Sequence, residues 1–442
     1  MTSSFLSFED KGYKDFISRL KQENEKLNAF NFIDENDKSG KIISVKDNIC
    51  VKGMPATASS KILQGYIPGF NATVIERLEK TGFSVIGKTN MDEFGFGSFG
   101  LNSEHYARNP FNEEYITGGS SSGSAVATAL IKGHVSIAES TGGSISAPAS
   151  FCGVVGLTPT YGVISRYGLI DYASSLDKIG FMGKSVDNIR EVMEKTIGGD
   201  PKDTTSLSVT ISNKKPNKLY VIDNLMAGVN EVIKDRFEDL LAKLSAKGYK
   251  IEHTKIDYLE YSVPAYYIIS MSEASTNLAK YQGFKYGFKV KDFSLNYNEF
   301  FMSARKQFGK EAKRRVILGT FIRSKSITQR YYEKALAIRH ALIARMDKIL
   351  KEGFIIMPSM PIFTPKISEV KDISPVEAYS MDMLTVPPNL CGFPHMSFPY
   401  FYEKGMPIGA QIITNHFNDY SLLDFLSEWE SDFKYKFKEE IS

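Results

Sequence analysis

Two glycine- and serine-rich runs carry the residue types that acyl-transfer chemistry requires. The runs are TGGSSSGS at residues 117–124 and ESTGGSIS at residues 139–146. Each run adjoins apolar segments, which is not typical of a flexible linker. Buried backbone N–H groups need acceptors, and free N–H groups clustered beside a serine hydroxyl are what an oxyanion hole requires. The two runs therefore predict a site in which a serine attacks a carbonyl group.

Two common motifs do not fit these runs. Gly118 and Gly123 have the spacing of a phosphate-binding P-loop, but Ser124 stands where that motif requires lysine. The sequence around Ser144 lacks the second glycine of the GxSxG turn found in many serine hydrolases. The six histidines include no HExxH or other close pair, so the sequence indicates neither a metal site nor a particular histidine as base.

A serine hydroxyl attacks at neutral pH only when a base takes its proton. Lys46, in VKDN at the end of an apolar predicted strand, is the candidate base. A lysine at a strand end is ordinarily solvated. If Lys46 is instead buried beside the two runs, loss of hydration favours its neutral amine. That amine could accept the proton of Ser144, directly or through a second hydroxyl.

Strand-like and helix-like segments alternate around these motifs, which predicts an α/β fold. Predicted strands cover residues 41–49, 83–90, 134–140, 218–223 and 249–256, and predicted helices cover 13–30, 71–82, 124–133, 231–248 and 311–350. We expect an N-terminal helical segment at 1–40 and one large domain at 41–435, with a polar surface connection around 198–218. In the helix at 231–248 the apolar residues, Val232 included, are predicted to share one face.

The composition narrows the class of protein. The 442 residues carry 54 basic and 51 acidic side chains, and a net charge of +3 is too small to indicate nucleic-acid binding by this chain alone. The three cysteines are far apart and form no CxxC, which favours a reducing compartment. We find neither a signal-peptide pattern nor an apolar run long enough to span a membrane, so a cytoplasmic location is expected.

Several stretches, taken together, resemble the amidase signature family. They are VKDN, KTNMDEFGFGS, GGSSSGSA, STGGSISAPASFCGVVGLTPTYG and GMPIGAQII. The resemblance implies a single large domain with a mixed central sheet flanked by helices on both faces. It also implies a Ser–Ser–Lys triad with Ser144 as nucleophile, Ser120 as the bridging serine after a cis peptide bond, and Lys46 as base. The backbone N–H groups of Thr141, Gly142 and Gly143 would form the oxyanion hole.

Other stretches resemble one subgroup of that family, the A subunits of tRNA-dependent amidotransferases. They are ISRYGLIDYASSLDKIG, GGDPKDTTS, SEASTNLAKYQG, KRRVILGTF and MDMLTVPPNLCGFP. This resemblance implies that Arg315 binds the α-carboxylate of glutamine and Asp382 its α-ammonium, with Tyr266 as a further contact. Arg314 and Tyr267 are the neighbouring alternatives.

The same resemblance implies a function and partners. The chain would hydrolyse glutamine and supply ammonia for converting misacylated Glu-tRNA(Gln) or Asp-tRNA(Asn) to Gln-tRNA or Asn-tRNA. Its partners would be a B subunit, which uses ATP and Mg²⁺ and contacts the tRNA, and a small C subunit. No metal or cofactor would belong to this chain, and no membrane association is expected.

Three positions depart from the pattern of the family. Ser140 and Ser146 stand where the family usually has aspartate and arginine, and Thr158 stands where it has lysine. The aspartate and arginine would be expected to pair, so that their joint loss preserves neutrality. Two alternatives remain open: a free-standing amidase that acts on another small amide, and a scaffold subunit whose catalysis is weakened by these changes.

Overall fold

One mixed sheet forms the centre of the molecule. The computed structural model of the chain describes residues 5–8, 12–430 and 441, and in this part twelve strands form a single sheet. The strands are β1 Ser7–Phe8, β2 Phe30–Ile33, β3 Gly40–Lys46, β4 Phe83–Thr89, β5 Val135–Ser140, β6 Val155–Thr158, β7 Lys178–Gly183, β8 Lys218–Ile222, β9 Lys250–Thr254, β10 Phe354–Pro358, β11 His395–Glu403 and β12 Met406–Ile413.

The order of the strands is β2-β4-β3-β5-β7-β6-β11-β12-β10-β8-β9, and β1 pairs with the start of β3. Strands β3, β4 and β5 run parallel, as do β8, β9 and β10, whereas the strands between these groups pair antiparallel. In the parallel pair β3–β5, Val45 lies opposite Ile137. The ends of these two strands, Lys46 and Ser140, therefore lie at the same edge of the sheet.

Helices cover both faces of the sheet. They are α1 Tyr13–Leu27, α2 Thr73–Glu79, α3 Ser122–Leu130, α4 Ser146–Phe151, α5 Val186–Thr196, α6 Asp223–Met226, α7 Glu231–Ala246, α8 Ser262–Asn277, α9 Tyr297–Arg305, α10 Lys310–Ile322, α11 Lys325–Leu350, α12 Ile367–Val370, α13 Pro375–Ser380, α14 Val386–Cys391 and α15 Asp419–Ser427. Neighbouring residues of one strand enter different apolar cores, as Ile355 and Ile356 do, because successive side chains of a strand point to opposite faces. The predicted mixed sheet with helices on both faces is confirmed.

Some local predictions need correction. Val232 is 41% exposed and does not join the buried face of α7. Successive residues of a helix are about 100° apart, and this rotation places Val232 outside the stripe that begins at Ile233. The helical stretch predicted at 311–350 is two helices, α10 and α11, separated at Arg323 and Ser324.

The segment before residue 41 contributes helix α1 and strands β1 and β2, and both strands pair within the central sheet. Residues 198–217 contain no helix or strand. The boundary between an N-terminal segment and a domain at 41–435 stays a prediction, and residues 431–435 lie outside the described part. None of the described helices combines the length and the apolar character that a membrane crossing requires.

Candidate active site

Lys46 and Ser120 meet at the edge of the sheet where β3 ends. The Lys46 ammonium nitrogen, Nζ, lies 2.8 Å from Ser120 Oγ, and both side chains are buried. Ser120 belongs to the first glycine-serine run, two residues before α3 begins, and its peptide bond with Gly119 is cis, as the resemblance implied. The structure thus joins two residues that are 74 positions apart in the sequence.

Ser144 lies in the second run, in the loop between β5 and α4. The backbone N–H of Ser121 donates a hydrogen bond to the carbonyl oxygen of Ser144 over 3.2 Å, which holds the two runs against each other one residue from Ser120. Ser144 is nearly buried, and it forms part of the wall of a small pocket. The backbone of Ser144 thus lies beside that of the residue after Ser120, and Ser144 itself lines the pocket.

Gly142 and Gly143 give the pocket a wall of backbone. Within the described residues, no acceptor pairs with the N–H group of Gly142, Gly143 or Ser144. The loop is held from behind, because Thr385 Oγ1 donates to the carbonyl of Gly142 over 3.0 Å. Side chains would not fit here. A Cβ on Gly142 would lie 2.3 Å from the ring of Tyr266, and Gly143 has φ +148°. The free N–H groups of Gly142, Gly143 and Ser144 are the donors that an oxyanion hole needs.

The pocket in front of Ser144 is narrow and mostly polar. Its volume is about 10 Å³, which is close to the space that a single water molecule needs, so a substrate would have to widen it. The residues around it are Gly95, Gly97, Ser98, Gly119, Gly142, Gly143, Ser144, Tyr266, Tyr267, Arg315 and Asp382. One guanidinium and one carboxyl group therefore share the wall with the predicted nucleophile.

Arg315 is held rigidly at this wall by helix α10. Its Nε donates to Glu311 Oε1 over 2.9 Å, one of its terminal nitrogens donates to the hydroxyl of Tyr172, and its side chain is 3% exposed. Four aromatic rings lie within 5.1–5.7 Å of the guanidinium carbon. Arg314, the alternative, is 31% exposed, pairs with Glu311 and is absent from the wall of the pocket. The geometry favours Arg315.

Asp382 provides the opposite charge. Its Oδ2 accepts hydrogen bonds from Ser98 Oγ over 2.8 Å and from the hydroxyl of Tyr267 over 2.5 Å. Burial raises the pKa of Asp382 to about 6, so the group is mainly a carboxylate at neutral pH. The two tyrosine candidates have different positions: Tyr266 packs on Gly142, whereas Tyr267 orients Asp382, and both line the pocket.

Glu139, to which the sequence assigned no role, is the second partner of Lys46. Glu139 Oε2 lies 2.8 Å from Lys46 Nζ, and both side chains are fully buried. The expectation for Lys46 considered burial alone and did not include this carboxylate. Each of the strands β3 and β5 carries a charged residue near its C-terminal end, but the sequence does not show that these two ends meet.

The positions that depart from the family pattern are buried. Ser140 Oγ donates to Asn389 Oδ1 over 3.1 Å, and Asn389 in turn donates to the backbone of Thr385. The hydroxyls of Ser146 and Thr158 have no hydrogen-bond partner in the described chain. Ser140 is thus part of the support behind the glycine loop, whereas no contact explains Ser146 or Thr158. No group of three potential metal-binding side chains occurs in the described ranges.

Comparisons with known proteins indicate the family of the chain. Residues 16–423 match the Amidase family. The chain is 39% identical over 410 residues to the A subunit of the glutamyl-tRNA(Gln) amidotransferase of Sulfolobus acidocaldarius, covering 90% of this chain and 86% of that one. The crystal structure of the A subunit of the Thermotoga maritima glutamyl-tRNA(Gln) amidotransferase has a TM-score of 0.79 and 34% identity, covering 93% and 89% of the two chains.

A 6-aminohexanoate cyclic dimer hydrolase also has a TM-score of 0.79, at 22% identity and with 96% and 94% of the two chains covered. At that identity the similarity concerns the fold alone. The match to the Amidase family spans most of the sequence, and the Sulfolobus relative exceeds one third identity over nearly the whole length. The chain therefore belongs to the amidase family.

Proposed function

We propose that this chain is the glutaminase subunit of a tRNA-dependent amidotransferase. It would release ammonia for converting misacylated Glu-tRNA(Gln) or Asp-tRNA(Asn) to Gln-tRNA or Asn-tRNA. The observation that carries the proposal is the pocket that holds Ser144 together with Arg315 and Asp382. A guanidinium and a carboxylate match the two charged α-groups of glutamine, and the remaining end of glutamine is the amide that a serine would attack.

The mechanism uses the cluster at the edge of the sheet. Ser144 Oγ attacks the carbon of the side-chain amide while its proton passes to Ser120. The proton of Ser120 passes in turn to Lys46. The negative charge that develops on the amide oxygen is stabilised by the free N–H groups of Gly142 and Gly143. The proton returns along the same route to the leaving nitrogen, ammonia departs, and water hydrolyses the acyl-enzyme to glutamate.

The names of the relatives support an assembly of several different chains, since each is called the A subunit of a glutamyl-tRNA(Gln) amidotransferase. In the proposal, the ammonia passes to a B subunit, which activates the misacylated tRNA with ATP and Mg²⁺, and a C subunit joins the two. This chain then contributes only the glutaminase reaction, and its location is the cytoplasm.

The test is the release of ammonia from glutamine by the purified chain, alone and co-expressed with the B and C subunits. Ser144→Ala should abolish release in both preparations. Ser146→Ala is a matched control and should retain activity, because it removes a hydroxyl two residues away, at the start of α4, that has no partner in the described chain. Unchanged ammonia release in Ser144→Ala would refute the assignment of the nucleophile.

The same assay separates the two alternatives. A free-standing amidase would be fully active without partner subunits, would prefer another small amide to glutamine, and would not depend on Arg315 or Asp382. A scaffold subunit would assemble with its partners without releasing ammonia. The contact of Lys46 with Ser120 and the position of Ser144 in the pocket favour the catalytic proposal over the scaffold.

A further inference from the structure

Every hydrogen-bonding direction of the Lys46 side chain has a partner. Its Nζ lies 2.8 Å from Ser120 Oγ, 2.8 Å from Glu139 Oε2 and 3.0 Å from the backbone carbonyl oxygen of Glu139. An ammonium group has three N–H donors and no lone pair, so these three acceptors saturate it. A carboxylate in contact stabilises the ammonium form, in which Lys46 has no lone pair with which to accept a proton.

The carboxylate of Glu139 is held on both of its oxygens. Oε2 accepts from Lys46 and, over 3.2 Å, from Asn48 Nδ2, while Oε1 lies 2.7 Å from the hydroxyl of Thr141. The position of Glu139 on β5, beside the parallel strand β3, brings its side chain to the end of the lysine. The cost of removing the charges of Lys46 and Glu139 from water offsets the attraction between them, so this buried pair is weak evidence of a contribution to the stability of the fold.

A second buried carboxyl group lies behind Glu139. The hydroxyl of Thr141 is 2.7 Å from Glu139 Oε1 and 2.8 Å from Asp177 Oδ1. A hydroxyl has one hydrogen and can donate to only one of two carboxyl oxygens. Both contacts are hydrogen bonds only if one carboxyl group is itself protonated and donates to Thr141.

Burial, and then the nearby negative charge of Glu139, raise the pKa of Asp177 well above its usual value, which favours Asp177 as the holder of this proton. Its oxygens also accept hydrogen bonds from the backbone N–H groups of Tyr172 and Ala173. The proton on Asp177 lets Thr141 donate to Glu139, which leaves Glu139 as the charged partner of Lys46. A continuous hydrogen-bonded chain therefore runs from Asp177 through Thr141, Glu139 and Lys46 to Ser120.

Other charged groups surround this cluster. Lys178 starts the neighbouring strand β7; its pKa is lowered to about 7, first by burial and then by Arg339. Asp92 lies within electrostatic range of Lys46, and burial raises its pKa to about 6. Arg166 acts on Asp177 from a distance. Asp177 and Lys178 both respond to the charge of Glu139, so Glu139→Gln lowers the pKa of each of these two groups as well.

We propose that Glu139 is a positioning residue that keeps Lys46 protonated and receives the proton that the serine relay delivers. The functional base is thus the Lys46–Glu139 pair and not a lone neutral lysine. The identity of the substrate rests on the proposed function, which this role of Glu139 deepens. The proton relay does not depend on which amide is the substrate. The resting state contains an ammonium and a carboxylate, with Ser144 and Ser120 as neutral hydroxyls.

The proton transfers balance in both directions. Lys46 first passes one proton to Glu139 Oε2, and rotation about its Cε–Nζ bond turns the lone pair that this leaves towards Ser120. As Ser144 Oγ bonds to the amide carbon, its proton passes to Ser120 and the Ser120 proton passes to this lone pair. Lys46 is then again an ammonium, Glu139 is neutral, and the amide oxygen carries the negative charge. When the C–N bond breaks, the carbonyl re-forms and the proton returns from Glu139 through Lys46 and Ser120 to the departing ammonia.

The test is the pH profile of Glu139→Gln, which keeps the shape of the side chain and removes its charge. Under this proposal the variant must use a neutral lysine, so kcat at pH 7 should fall by about 10²-fold, within the usual contribution of a general base. Its acidic limb should move to higher pH, with KM for glutamine nearly unchanged. Glu93→Gln is the control, because Glu93 is also a buried glutamate but bonds to Ser60 and Gly309, outside the relay.

The opposite result is equally specific. If Lys46 acts alone as a neutral base, Glu139 only hinders its deprotonation. Removal of the carboxylate would then move the acidic limb to lower pH and raise kcat at those pH values. That outcome, or a limb at the same pH as in the wild type, would overturn the proposal. A loss of kcat without any movement of the limb indicates a merely structural role and overturns it as well.

A second readout keeps this test independent of glutamine. The rate at which a small fluorophosphonate modifies Ser144 depends on the same proton relay but not on Arg315 or Asp382. If the wild type releases no ammonia from glutamine yet Glu139→Gln shifts the labelling profile to higher pH, the proposed function fails and the role of Glu139 stands. If ammonia is released and the labelling profiles of both enzymes coincide, the role of Glu139 fails alone.

Discussion

The assignment of Arg315 as the carboxylate-binding residue leads to a prediction with a built-in control. Arg315→Lys keeps the positive charge beside Glu311 but replaces the planar fork with a single ammonium group. In the wild type, Nε is occupied by Glu311 and one terminal nitrogen by Tyr172, which leaves the other terminal nitrogen for a substrate. The variant should lose about one charge-assisted hydrogen bond, worth roughly 1.5–3 kcal/mol.

Because 1.4 kcal/mol corresponds to a factor of ten, the KM for glutamine should rise by about 10- to 100-fold, with a smaller change in kcat. Arg314→Lys is the matched control on the same helix. Its side chain is partly exposed and lies away from the pocket wall, so KM should stay within about twofold, as for most surface changes. The assay is steady-state ammonia release, with the melting temperature of each variant measured in parallel.

The comparison substrate is 4-aminobutanamide, which is glutamine without its α-carboxylate. If Arg315 binds that carboxylate, Arg315→Lys should affect the hydrolysis of this amide far less than the hydrolysis of glutamine. An equal loss on both substrates would show that the variant disturbs the aromatic surroundings and not a specific contact. An unchanged KM for glutamine would refute the reasoning directly.

Three further predictions concern the pocket and the residues next to it. Since the pKa of Asp382 is raised to about 6, kcat/KM for glutamine should fall about tenfold for each pH unit below 6. Asp382→Asn should lack this acidic limb, and a limb retained in that variant would point to another group. Gly142→Ala places a Cβ 2.3 Å from the ring of Tyr266, so kcat should drop by about 10²-fold. In the control Gly69→Ala the added Cβ has no neighbour within 4 Å, so kcat should be unchanged. Equal kcat in both variants would contradict the close fit at Gly142. Ser146→Ala removes a buried hydroxyl that has no partner in the described chain, so the free energy of unfolding in urea should rise by about 1–3 kcal/mol, and a fall would show that this hydroxyl is bonded.

The fold followed from the sequence because its signals are local. The apolar periodicity at 13–30 and the β-rich segment at 41–49 each predicted an element whose bounds lie within three residues of those observed for α1 and β3. Predictions that depend on side-chain direction were less secure. Arg314 and Arg315 are adjacent in a helix, so spacing alone left both possible, and the structure distinguishes them by their burial.

The role of Glu139 could not be predicted in the same way. Its contacts with Lys46 and Thr141 depend on the pairing of β3 with β5, which brings together residues 93 positions apart. A charged residue at the end of a strand is ordinarily solvated, and the sequence contains no local signal that two such ends face each other. The same holds for Asp177, which meets Thr141 only through the pairing of β5 with β7.

The site draws its parts from separate stretches of the chain. Lys46, Ser120 and Ser144 come from the first third of the sequence and from the β3–β5 part of the sheet, whereas Tyr266, Arg315 and Asp382 come from helices and turns added much later in the chain. Bond-breaking and recognition are thus carried by different segments. Such a division lets mutations in the later segments change which amide is accepted while the nucleophile and its relay stay in place, which is a route by which one ancestral amidase could give rise to enzymes with unrelated substrates.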